Sequence, residues 1–157
     1  NSAVTLSALD RLIDDDPETS VEAAPTRSQS VRQMKEAVRR DLEWLLNTRR
    51  VAVAPEEVLK EVNRSVYIFG LPDFTAYSLN SSKDQVKLMR HLQTTVKLFE
   101  PRLANVRIIP LEDSTPGTRT LRFRIEGLLQ MDPAPEHISF DTVLELTSGE
   151  YEVGNAR

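Results

Sequence analysis

The chain has 157 residues, 39% of them hydrophobic and 28% charged, with a formal net charge of −4 and no cysteine. This length suits one domain with a real core plus a tail, and the acidic balance argues against a general nucleic-acid binder, which needs a basic surface. Without cysteine there are no disulfides, thiol nucleophiles or thiolate metal sites, which fits a reducing compartment; no apolar run approaches the roughly 18 residues that span a bilayer, so the expectation is a cytoplasmic protein with no direct membrane insertion.

Residues 6–13, LSALDRLI, space Leu6, Leu9 and Leu12 or Ile13 as one face of a short helix. From Asp14 to Ser28 the chain is acidic, small and broken by Pro17 and Pro25, which reads as a linker. Residues 1–28 are thus expected to form a tail and residues 29–157 the domain. A helix is predicted from Ser30, where Gln33 completes a capping-box spacing, to about Asn47. Its stripe is Val31, Met34, Val38, Leu42 and Leu45, widened by Trp44 and Leu46.

A second helix is predicted from Pro55, with Val58, Leu59, Val62, Val66 and Phe69 on one face. Gly70 then supplies a left-handed stop and Pro72 prevents resumption. Residues 71–80 read as an ordered loop pinned by Phe74 and Tyr77. The third helix is capped near Ser82, carries Val86, Met89, Leu92, Val96 and Phe99, and is ended by Pro101.

Beyond Pro101 the period of the apolar residues drops to two. Strands are predicted at Asn105–Leu111, Thr120–Gln130 and Ile138–Thr147, with a short edge at Tyr151–Val153 and a Pro-Gly turn within 115–118. Helices followed by strands predict an α+β fold: three helices covering one face of a three- to four-stranded antiparallel sheet.

Chemistry-bearing patterns are sparse. The two histidines, His91 and His137, are far from ligand spacing, and the five glycines are too scattered for a phosphate cradle, so neither a metal nor a cofactor is expected. The Asp14–Asp16 run lacks the glycine and alternating oxygens of a calcium loop. No G-x-S-x-G elbow occurs. Two carboxylates suffice for a glycosidase, and with 24 acidic residues some pair always looks plausible by chance. Arg32, Lys35, Arg39 and Arg40 share a helical face, but Glu36 and Glu43 interrupt it and no aromatic residues interleave for base stacking. A solvated or protein-facing surface is the better reading.

One segment stands out: Phe99-Glu100-Pro101-Arg102-Leu103, at the switch from helix to strand. Pro101 stops the helix and fixes the exit angle, and Phe99 and Leu103 anchor both sides in the core. Glu100 and Arg102 then project from a rigid corner. Two readings stand level here: a local surface pair worth on the order of 0–1 kcal/mol, or a partner interface.

DLEWLLNTRR at 41–50, SVYIFGLPDFT at 65–75 and KLFEPRL at 97–103, with LDRLIDDDP at 9–17 and IEGLL at 125–129, resemble in order and spacing the TssE proteins of bacterial type VI secretion. These are similar to the wedge proteins of contractile phage-tail baseplates. The resemblance implies a non-catalytic scaffold in the cytoplasmic baseplate wedge with TssF and TssG, near TssK, where the baseplate meets the inner tube and the first sheath ring of TssB and TssC. It also implies that Glu100, Pro101 and Arg102 hold the baseplate core to its partners, and that strand addition at a sheet edge helps start sheath assembly. Arg32, Lys35 and Arg39 are expected to add a weaker, salt-sensitive contact. Neutralising Glu100 and Arg102 together is expected to break partner binding while leaving the melting temperature nearly unchanged. Two rival classes remain, a lysozyme-like cell-wall hydrolase and a soluble adaptor domain on the same scaffold.

Overall fold

The computed structural model describes residues 6–13, 17–18, 26–74, 81–111, 120–145 and 147–157. Its elements are α1 (Ala8–Leu12), α2 (Arg27–Asn47), α3 (Ser82–Phe99), β1 (Leu103–Pro110), β2 (Thr120–Leu129), β3 (Glu136–Glu145) and β4 (Tyr151–Ala156). The strands form one antiparallel meander in the order β1-β2-β3-β4. This is the expected α+β architecture.

The sheet carries its apolar side chains on one face because alternate residues of a strand point the same way. Phe123, Ile125 and Leu129 of β2 and Ile138, Phe140 and Leu144 of β3 are buried there. Against them pack Met34, Val38, Leu42, Leu45 and Leu46 of α2 and Leu88, Leu92 and Val96 of α3. In contact, α2 lies against β4 and α3 against β1. The opposite face is polar, with Arg124 of β2 gripping Asp141 of β3 at 2.6 Å.

Several local expectations are corrected. The first long helix starts at Arg27, not Ser30: Thr26 and Gln29 form the capping box, and Ser30 is buried inside the helix with its hydroxyl donating to the Thr26 carbonyl. Both sites have the required spacing, so periodicity alone does not separate them. Trp44, assigned to the core stripe, is 62% exposed, while Ala37 takes a buried place on the core face. In α3 the buried set is Leu88, Leu92 and Val96, and Val86 is exposed. In α1 only Leu6 just before it packs on the core; Leu9, Leu12 and Ile13 are exposed.

The helix expected from Pro55 to Phe69 does not form. The segment makes two 3-10 turns, Val62–Arg64 and Val66–Ile68, and Val58, Leu59 and Val66 are exposed. Ser65 interrupts any continuous helix by accepting from the Tyr67 amide, the local side-chain competition that serines offer the backbone. Gly70 does adopt the left-handed region, at φ 100°. A Cβ there would lie 2.2 Å from the Thr48 carbonyl oxygen. That close approach lets the Leu71 amide donate to Thr48 at 2.8 Å, so the glycine joins this segment to the end of α2. The expectations for Asp14–Asp16, Tyr77 and the turn within 115–118 lie outside the described residues.

Candidate partner interface at the helix-to-strand corner

The corner is rigid because hydrogen bonds hold it on both sides. The Glu100 amide closes α3 on the Val96 carbonyl at 2.8 Å, the Leu103 amide returns to the Glu100 carbonyl at 3.1 Å, and the Arg102 carbonyl accepts from the Gln130 amide at 2.8 Å. Phe99 packs edge-on against Phe69 with ring centroids 5.1 Å apart, and Leu103 is buried. The apolar anchors on either side of Pro101 are those expected from the sequence.

The charged pair is arranged differently from the expectation. Glu100 is 2% exposed, so the corner turns its carboxylate inward. Arg102 grips it with two guanidinium nitrogens, Nε lying 2.6 Å from Oε1. The same guanidinium reaches Asp41 of α2 at 2.6 Å. Asp41 accepts from Arg40 at 2.8 Å, and Arg40 reaches Asp10 of α1 at 2.7 Å. Five alternating charges, Asp10, Arg40, Asp41, Arg102 and Glu100, thus connect α1, α2 and the entry to β1. Burial opposes the charge on Arg102, but the Glu100 and Asp41 carboxylates more than reverse this and raise its pKa. Removing one partner from such a buried pair is costly, because an uncompensated charge remains.

Beside the network lies a cavity of about 200 Å³ lined by Asp41, Trp44, Leu45, Phe69, Phe99, Glu100 and Arg102. The Arg40 guanidinium stands 5.8 Å from the Trp44 ring centroid. An exposed tryptophan beside a pocket, flanked by charges already held in place, is the composition of a protein-binding hot spot. Asp41 and Trp44 gain their place here from tertiary structure. Both lie in the DLEWLLNTRR run, but nothing in their spacing relates them to a residue 61 positions later.

The three basic residues assigned to docking separate. Arg32 is exposed on α2. Lys35 pairs with Glu136 at the start of β3. Arg39 pairs with Glu36 at 2.7 Å and Glu43 at 3.1 Å and also donates to the Val153 carbonyl of β4. Lys35 and Arg39 therefore dock α2 on its own sheet.

Little in this geometry resembles a reaction centre. Asp10, Glu36 and Asp141 have lowered pKa values, through the Ser7 hydroxyl and Arg40, through Arg39, and through Arg124 respectively. A glycosidase acid needs a shift in the opposite direction. Burial and the Arg50 charge lower the pKa of His91, whose ring lies 5.7 Å from that of Phe74. Among the described residues no cluster of three or more His, Cys, Asp or Glu side chains is placed to hold a metal, and no helix is long and apolar enough to cross a membrane.

The corner thus combines an ion-pair network that ties α1 and α2 to the entry of β1 with a surface pocket beside an exposed tryptophan. The family model of baseplate wedge protein gp25 matches residues 32–134, from within α2 to the approach to β3, and the chain belongs to that family. It is a structural component of a phage-like, contractile-tail baseplate. Comparisons with curated proteins and with solved structures return no match.

Proposed function

We propose that this chain is the TssE-type wedge subunit of a type VI secretion baseplate, acting in the cytoplasm without catalysis. In this reading it binds TssF and TssG in the wedge, lies near TssK, and links the wedge to the inner tube and to the first sheath ring of TssB and TssC, helping sheath assembly to start. The observation that carries the reading is the Glu100-Pro101-Arg102 corner, which lies inside the family match and is locked to Asp41 beside the Trp44 pocket.

Here Glu100 acts by holding Arg102 and Pro101 in position, and Arg102, Asp41 and Trp44 form the contact surface. Arg32, exposed on α2, contributes a second contact that weakens with salt, and Lys35 and Arg39 support it indirectly by holding α2 to the sheet. The test is affinity capture of the tagged chain from its native cell. Wild type is expected to bring down the wedge partners, and Trp44→Ala to lose them while its melting temperature stays within a few degrees. Capture of a single soluble partner with no wedge protein would instead favour the adaptor reading. Cell-wall turnover abolished by a carboxylate substitution would favour the hydrolase.

A further inference from the structure

Three segments far apart in the sequence meet at the C-terminal end of α2. Gly70 brings the residues after it alongside: the Leu71 amide donates to the Thr48 carbonyl at 2.8 Å, and the Arg50 amide to the Leu71 carbonyl at 2.9 Å. On the other side the Asn47 side chain accepts from the Tyr151 amide and donates to the Tyr151 carbonyl, both at 2.8 Å, which ties the start of β4 to the helix end. The β3–β4 turn closes on itself, with Gly149 at φ 75° and its amide donating to the Glu145 carbonyl at 2.8 Å. Hydrogen bonds thus hold all three walls in place.

Between the walls lies a pocket of about 130 Å³ that shares no lining residue with the Trp44 cavity. Leu46, Leu71, Phe74 and Leu144 make it apolar. Two polar side chains also line it. Arg49 is exposed, with its Nη2 3.6 Å from where a Cβ on Gly149 would lie. Among the described residues it has no carboxylate within ion-pair distance, Asp73 of the same lining included. Tyr151 is only 7% exposed, and its hydroxyl forms no hydrogen bond among the described residues. Unlike the Thr142 hydroxyl, it is not sealed inside the core. Burial pushes its pKa up, so it keeps its proton.

Small-molecule sites usually enclose roughly 300–1,000 Å³, whereas a cavity of about 150 Å³ holds a benzene ring. This pocket therefore suits one side chain of a larger partner. We propose that it is a docking site for a second protein, which seats one leucine- or phenylalanine-sized side chain against Leu46, Leu71, Phe74 and Leu144 and sets a carboxylate of the same segment on Arg49. An unpaired cation at an apolar pocket selects an anion beside the apolar group, and the Tyr151 hydroxyl is left for a polar atom of that segment. The partner's identity rests on the baseplate reading; the chemistry of the pocket does not.

The test places the photo-reactive residue p-benzoylphenylalanine at Thr147, exposed on the pocket lining, in the full chain within its native cell, and sequences the cross-linked peptide. The expected product is a peptide of another protein in which an apolar residue stands next to an aspartate or glutamate. Adding Arg49→Glu is expected to lower its yield about tenfold, and Tyr151→Phe about threefold, with melting temperatures within a few degrees of the parent. A cross-link confined to the chain itself or to a second copy overturns the proposal, as does a partner peptide without a carboxylate or a yield that Arg49→Glu leaves unchanged. Capture of the baseplate proteins with no cross-link at Thr147 overturns the pocket and leaves the baseplate reading standing. The expected peptide, from a protein outside any baseplate, upholds the pocket and overturns the baseplate reading.

Discussion

Glu100 and Thr142 are both buried polar residues, and they are expected to respond oppositely to substitution. Glu100 has Arg102 on it, so Glu100→Gln leaves a partly buried guanidinium with Asp41 as its remaining carboxylate. Chemical denaturation is expected to show a loss of about 3 kcal/mol. Replacing both members, Glu100→Leu with Arg102→Met, is expected to cost less, because no charge is left uncompensated. If that double variant folds and still fails to capture wedge partners, the corner's contribution to binding is separate from its contribution to stability. The earlier expectation that neutralisation leaves stability unchanged assumed an exposed pair, and the burial of Glu100 removes that assumption. Thr142 is 1% exposed on the core face of β3, and its hydroxyl has no hydrogen-bond partner among the described residues. Valine has the same shape without the unsatisfied group, so Thr142→Val is expected to stabilise the fold by about 1 kcal/mol in a urea titration.

Among the elements, helix boundaries and the segment after Arg50 depart furthest from the periodic reading. Thr26 satisfies a backbone amide at the start of α2 and Ser30 does not, which separates two sites of identical spacing. Thr26→Ala is expected to cost about 1 kcal/mol, and Ser30→Ala, which removes one bond to the Thr26 carbonyl, less than that in the same melting experiment. For residues 55–69 the apolar spacing suited a helix, but a helix there needs a surface to cover. The sheet face is already filled by α2 and α3, so the valines remain outside and the chain takes 3-10 turns. The strands were legible to within two or three residues at each end. Alternation is a strong signal when one face is buried, and the register of β2 on β3 runs unbroken from Thr120 to Leu129.

For the whole molecule, the ion pairs make stability pH-dependent with a definite sign. Asp10 and Asp141 have folded-state pKa values below their ordinary value, so their contribution is fully present above that value. It is lost as pH falls through the folded pKa, when protonation releases Arg40 and Arg124. The melting temperature is expected to be flat near neutrality and to fall between about pH 5 and pH 2. Asp141→Asn should make that fall shallower. High salt is expected to affect the exposed pairs more than the buried Arg102–Glu100 contact, because screening acts through solvent.

By itself the sequence determined that helices precede strands, the core face of the sheet, the rigid stop at Pro101 and the family, because each rests on local period, on residue chemistry or on ordered short motifs. Tertiary structure alone decided that Glu100 faces inward, that Asp41 and Trp44 join the corner, and that Asn47 and Arg39 of α2 bond to the backbone of β4. Those outcomes depend on side chains separated by as many as 114 positions meeting across packed elements. Sequence spacing carries no record of such distances; packing does.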